Sequence, residues 1–113
     1  MAVNDALLKR IETTIHQIAP DATVILHGSQ ARGDTHNLSD IDLVVLLDKA
    51  NITWADEKRI KYPLYDIEFE TGIIISPIIF SKKAWEKKHK KTPFYENVSR
   101  EGQVLWMKKT AQI

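Results

Sequence analysis

The stretch ATVILHGSQARGDTHNLSDIDLVVLL, residues 22–47, decides how this chain folds. An apolar run from Ala22 to Leu26 leads into Gly28-Ser29, and a second, Ile41 to Leu47, carries Asp40-Ile41-Asp42 at its start. Ten residues separate Ser29 from Asp40. The order predicts a strand, a tight turn, a loop and a second strand. Side chains alternate across a strand, so Asp40 and Asp42 share one face while Ile41 and Leu43 take the other. Two carboxylates placed in this way can share a divalent cation. Mg²⁺ is commonly held by one or two carboxylates plus substrate phosphates, with water on its remaining positions.

The turn complements the acids. Glycine at 28 permits a sharp change of direction after the strand and lets backbone amides approach a phosphate. Ser29 adds a hydroxyl, and Gln30-Ala31-Arg32 suits the first turn of a short helix whose N-terminus favours anions. Arg32 can pair with phosphate as a charge-assisted donor, or brace Asp40 or Asp42 from behind. Gly33 to Asn37 is polar and turn-rich, which predicts a loop that leaves the site open on one side. Each half has a plainer reading: a Gly-Ser turn is commonly only a turn, and an Asp pair at a strand start is often a solvated edge. Their combination at this spacing points to a nucleotide site.

Working outward, Leu7, Leu8, Ile11, Ile15 and Ile18 recur at helical spacing, with Asn4 or Asp5 as an N-cap and Pro20 beyond the end. Strands are predicted at Thr23 to His27 and Ile41 to Leu47. The pattern from Trp54 to about Thr71 is helical, with Pro63 expected to kink or divide it and Gly72 to stop it. Ile73 to Phe80 reads as a third strand, placed at an edge or a bulge by Pro77. Ser81 reads as a cap for a helix over Lys82 to roughly Lys91. Thr92-Pro93 opens another to about Arg100, and Gln103 to Trp106 reads as a final strand. The fold class is therefore α/β (α+β), a mixed sheet flanked by helices.

At 113 residues the chain is expected to form one domain over 1–113 with a single core, which excludes a multi-domain polymerase. It is 43% hydrophobic and 27% charged, in the range of globular proteins. A formal net charge of +1 provides no global field for duplex nucleic acid, which is not expected as the main partner. Without cysteine there is no thiolate ligand or nucleophile. No apolar run approaches the ~20 residues of a membrane span, so no membrane association and a cytoplasmic location are expected.

The residues Gly28, Ser29, Ala31, Arg32, Gly33, Ser39, Asp40, Asp42 and Leu43 resemble the G-S-x-A-R-G…S-D-I-D-L signature of the nucleotidyltransferase superfamily, and in particular of its minimal, stand-alone members. The resemblance implies transfer of a nucleoside monophosphate from ATP or another nucleoside triphosphate to a hydroxyl. It also implies Asp40 and Asp42 as catalytic, metal-holding residues for two Mg²⁺ ions, and Gly28, Ser29 and Arg32 as nucleotide-binding residues. Members with this spacing resemble the antitoxin half of two-component systems whose other half is a helical HEPN ribonuclease. The implied partner is a HEPN-domain protein, the implied acceptor a tyrosine on it, and the implied donor ATP.

Relatives generally carry a third carboxylate on the next strand, where it helps to bind metal and takes the proton of the attacking hydroxyl. Here that strand, GIIISPII at 72–79, holds no acid, and Ile74 is expected at the position. If strand-like, Asp66, Glu68 and Glu70 would share one face and could substitute; otherwise they lie on a solvated helix face or surface edge. The gap leaves two alternatives open: a catalytically weak protein that inhibits its partner by binding, and an enzyme modifying an antibiotic or sugar, for which a homo-oligomer would be expected. Lys82, Lys83, Lys87, Lys88, His89, Lys90 and Lys91 surround Trp85 as either a solvated face or a contact for RNA or a triphosphate. His16, His27, His36 and His89 lack metal-ligand spacing; His27, beside the motif, suits either a phosphate or base contact or a structural role. Trp54, Tyr62, Tyr65, Phe69, Phe94, Tyr95 and Trp106 exceed what a small core buries, so part of them should form an exposed apolar patch for another protein.

Overall fold

The computed structural model describes residues 5–28, 31, 40–87 and 89–106, with side chains described as far as Leu105. In chain order the elements are α1 (Asp5–Ile18), β1 (Thr23–His27), β2 (Ile41–Leu47), α2 (Trp54–Thr71), β3 (Ile75–Ser81), α3 (Lys82–Lys87), α4 (Pro93–Glu101) and β4 (Gln103–Trp106). The four strands form one mixed sheet in the order β3-β2-β1-β4. β1 runs antiparallel to β2 and to β4, while β2 and β3 are parallel. A parallel pair needs a long crossover, and α2 provides it.

The period-two alternation of β2 divides the molecule into two layers. Ile41, Leu43, Val45 and Leu47 enter a core with Val24 and Leu26 of β1, the apolar stripe of α1, and Ile60, Leu64 and Ile67 of α2. Val44 and Leu46 face the other way, onto Trp85 of α3 and Val98 of α4, with Ile25, Phe80, Phe94 and Tyr95 packed around them. β2 is thus buried on both faces along most of its length, which explains its continuous apolar sequence. Fully burying each such side chain contributes about 1.5–3 kcal/mol. Asp40, just before the N-terminal end of β2, is exposed.

Local chemistry sets the element ends. Thr53 caps α2: its hydroxyl accepts from Asp56 N at 3.2 Å, while Thr53 N donates to Asp56 Oδ2 at 3.0 Å, a reciprocal capping box. Lys49 Nζ donates to both Asp56 oxygens at 2.8 Å. These contacts hold the Asp56 carboxyl down at about 2, the Lys49 hydrogen bond foremost and then the Thr53 backbone. Gly72 ends α2 at φ 75°, donating to Glu68 O at 2.8 Å, a left-handed cap that favours glycine.

The expected edge position of Pro77 is met, since β3 closes one side of the sheet. Three expectations change. α2 runs unbroken through Pro63, its buried Ile60, Leu64 and Ile67 holding it to the core across the lost backbone bond. β3 begins at Ile75 rather than Ile73, because the Gly72 cap consumes the residues between. α3 ends at Lys87 rather than near Lys91; Ser81 Oγ accepts from Ala84 N at 3.0 Å at its start, and His89 N turns back to Ala84 O at 3.1 Å at its end.

Thr53→Ala should cost about 1 kcal/mol, the usual value of a lost N-cap, readable by thermal denaturation. The folded-state pKa of Asp56 lies below its ordinary 3.8. Its stabilisation is therefore fully present above that ordinary value and lost as pH falls toward about 2. An Asp56→Asn variant should lose this part of the acid dependence in denaturation curves recorded across that window.

Candidate active site

The antiparallel register sets His27 directly opposite Asp42. Paired residues project to the same face, so His27 and Asp42 share the layer of Ile25, Val44 and Leu46. Asp40 precedes β2 by one residue and is exposed, and the alternation of extended chain carries it to the side of Asp42. Gly28 follows β1 at φ 74°, in the left-handed region. A Cβ there would stand 2.5 Å from Asp42 Oδ2, so the carboxylate occupies the space that a side chain at 28 would fill. The turn needs glycine for its backbone conformation and again for the acid lying over it.

Ser29 and Arg32, the two other expected nucleotide-binding residues, lie outside the described residues, as does His36. Ala31 is buried, and its carbonyl accepts from Gln103 Nε2 at 2.8 Å, which ties the turn to β4. Nothing local in the sequence marks Gln103, since the contact spans 72 positions and depends on the pairing of Leu26 with Gln103.

His27 forms the back of the site. Its ring meets Phe94 edge-on at 5.4 Å, and Nε2 is a buried side-chain nitrogen with no hydrogen-bond partner among the described residues. Burial lowers its pKa, against opposing contributions from the Asp42 charge and a backbone hydrogen bond with Leu43. A cavity of about 160 Å³ opens beside it, lined by Gly28, Phe94, Asn97, Val98 and Glu101 together with His27 itself. Phe94 and Asn97 join this wall from α4, some seventy residues from the turn, and no motif pointed to them.

The absence of an acid from β3 now has coordinates. β2 and β3 pair in register Ile41 to Ile75 and Asp42 to Ser76, and Ile41 N donates to Ile74 O at 2.8 Å. The side chains beside the aspartates on β3 are therefore Ile74 and Ser76, both exposed. Asp66, Glu68 and Glu70 do not substitute. They stand on α2, which packs on the opposite layer; Glu68 Oε1 accepts from Ile75 N at 2.9 Å, and Glu70 pairs with Arg10 at 2.6 Å. Among the described residues no three His, Asp or Glu side chains gather as a metal cluster.

A mixed sheet with a glycine turn facing two acids at a strand start is the layout of a nucleotide-transferring domain. The family profile described as Nucleotidyltransferase domain matches residues 8–101, and the chain belongs to this family. It is 34% identical over 99 residues, 85% of its length, to a candidate protein adenylyltransferase of Methanocaldococcus jannaschii, of which it covers 92%. Its fold is similar to that of a chain in a toxin–antitoxin structure with AMP-PNP, at TM-score 0.63 and 20% identity over 88% of this chain and 73% of that one. It is also similar to a chain in the complex of tri-AMPylated Shewanella oneidensis HEPN toxin with MNT antitoxin, at TM-score 0.60 and 16% identity over 93% and 73%. No helix among the described residues is long and apolar enough to cross a membrane.

Gly28→Ala should displace the Asp42 carboxylate and force an alanine into the left-handed region. Nucleotide transfer should fall by on the order of 10²-fold, as a misplacement of about 1 Å can cost, with stability lower by roughly 1–2 kcal/mol. Steady-state rates and melting curves measured on one preparation would check both. Because the unfolded chain protonates His27 at higher pH than the folded chain does, stability should decline as pH drops below 6.5, and His27→Gln should flatten that slope in urea titrations.

Proposed function

We propose that this chain transfers a nucleoside monophosphate, AMP, from a nucleoside triphosphate to a hydroxyl on a protein, and that the acceptor is a tyrosine of a HEPN-type partner which the modification silences. The observation that carries the reading is the seat of Asp42 over Gly28, which brings an anion-binding turn and a carboxylate together. Gly28 offers close backbone approach to the β- and γ-phosphates, with Ser29 and Arg32 as the other nucleotide-binding residues of this reading. Asp40 and Asp42 would hold Mg²⁺, and the donor set fits it: two carboxylates on one side of the strand beside the glycine turn, with phosphate oxygens of the nucleotide to complete such a shell. Bound Mg²⁺, two ions in this reading, would neutralise phosphate charge and stabilise the attacking and leaving oxygens.

The acceptor oxygen attacks the α-phosphorus, the bond to the β-bridging oxygen breaks, and pyrophosphate departs with the electron pair. With Ile74 and Ser76 beside the acids, the hydroxyl proton passes to solvent or to the acceptor's own surroundings rather than to a carboxylate of β3. Support for the acceptor class comes from relatives: the Methanocaldococcus jannaschii protein is named for protein adenylylation, and the Shewanella oneidensis complex contains a HEPN toxin that bears AMP.

A second reading, inhibition of the partner by binding with little transfer, is favoured by the same two residues on β3. The test is incubation with α-³²P-labelled nucleoside triphosphates and Mg²⁺, with and without the co-purifying partner, comparing the chain with Asp42→Ala. Label should move from ATP to the partner band with the unaltered chain and fall by at least about 10²-fold in the variant, since an essential electrostatic group is lost. Nucleotide binding without label on any acceptor would select the inhibitory reading.

A further inference from the structure

The outer face of α2 carries Trp54, Lys58, Tyr62, Tyr65 and Phe69, spaced four, four, three and four residues apart. At 3.6 residues per turn these positions fall within an arc of about 80°, directly opposite the buried stripe of Ile60, Leu64 and Ile67. The aromatic residues are exposed to 66%, 54%, 45% and 91% for Trp54, Tyr62, Tyr65 and Phe69. Tyr62 and Tyr65 lie 6.1 Å apart, and Lys58 Nζ sits 5.7 Å over the Trp54 ring. With each aromatic side chain offering about 150–250 Å² in all, the exposed part totals on the order of 500 Å². The stems of the flanking charged residues bring it toward the roughly 800 Å² per partner of a specific interface. Few monomeric surfaces leave such a stripe uncovered.

The flanking charges say what covers it. One flank of the stripe carries Lys61 and then Glu68; the other carries Arg59 and then Asp66. The Arg59 flank is thus basic toward the N-terminus of the helix and acidic toward the C-terminus, while on the other flank Lys61 stands between Glu57, with which it pairs, and Glu68. In a two-fold antiparallel pairing each flank meets itself reversed, so Lys61 faces Glu68 of the second copy and Arg59 faces its Asp66, while Tyr62 stacks on its Tyr65. A parallel pairing brings opposite flanks together and sets Lys61 against Arg59 and Glu68 against Asp66, like on like. These groups keep capacity for the new contacts. Lys61 uses one of its three donors on Glu57 at 2.9 Å, Arg59 reaches Ile18 O at 3.3 Å with one of five, and Glu68 has a second oxygen. Asp66 is exposed.

We propose that α2 joins two copies of this chain as an antiparallel, isologous dimer. The contact lies on the layer opposite Asp40 and Asp42, so both sites stay open and neither shares a pocket with its twin. The inference stands apart from the transfer reaction and survives its failure.

Sedimentation velocity of the full chain, from micromolar to millimolar concentration, tests it. Expected is a species of twice the 13.0 kDa chain mass, with association weakened at least about tenfold by Phe69→Ser and by Asp66→Lys. Both positions are exposed, so circular dichroism and melting should stay unchanged in the variants. A monomer throughout the range, a dimer indifferent to both substitutions, or a monomer that engages a different protein through Phe69 would overturn the proposal.

Discussion

Everything at the candidate site depends on one register, the antiparallel pairing that places His27 opposite Asp42 and so lays the Asp42 carboxylate over Gly28. A slip of one residue would reverse every side chain of β2, sending Asp42 into the core and Leu43 into solvent. The register is protected because β2 is buried on both faces: four of its apolar residues serve one core and two the other. Packing that has no chemistry of its own therefore fixes where the chemistry occurs. The glycine adds a second constraint, since the space over its α-carbon is the space that the acid requires.

Much of this was legible in the sequence where one physical signal dominated. α1, β1, β2 and α2 follow from periodicity, and the Ser81 and Thr92 caps follow from hydroxyls that accept from the backbone three residues on. Asp40, Asp42 and Gly28 were legible as a pair of motifs, because strand alternation alone puts the acids together. Two things were not. Pro63 argued for a kink or a division, and the helix is not divided: three buried residues on the core face of α2 outweigh the cost of roughly 3 kcal/mol that an interior proline carries. The cavity wall of Phe94 and Asn97 and the Gln103 tie to Ala31 come from distant elements, and their place depends on tertiary packing and strand pairing rather than on any local pattern.

The period-two spacing of Asp66, Glu68 and Glu70 shows how such a signal can mislead. In a strand it would align three acids; in α2 each step of two residues turns about 200°, so Glu68 points away from Asp66 and Glu70. Two of them have mechanical duties. Glu68 fastens the start of β3, and Glu70 links α2 to α1 through Arg10. Helix identity was decided by the buried stripe and the Thr53 capping box, which together outweigh a polar alternation on the exposed side.

With Ile74 and Ser76 where a further carboxylate would stand, the site carries two negative charges from the strands rather than three. Like charges held close together resist joint ionisation, so a third acid is stable only beside a resident cation. A two-acid site has less of that repulsion and also a weaker hold on an ion by itself. In the proposed reaction a metal would then be recruited largely through the phosphates of the nucleotide, since Mg²⁺ is commonly held by one or two carboxylates plus substrate phosphates. The exposed Ile74 in turn presents an apolar surface beside the two acids. In the proposed reaction, a weaker hold on metal and a less charged approach for the acceptor would both follow from the same two residues on β3.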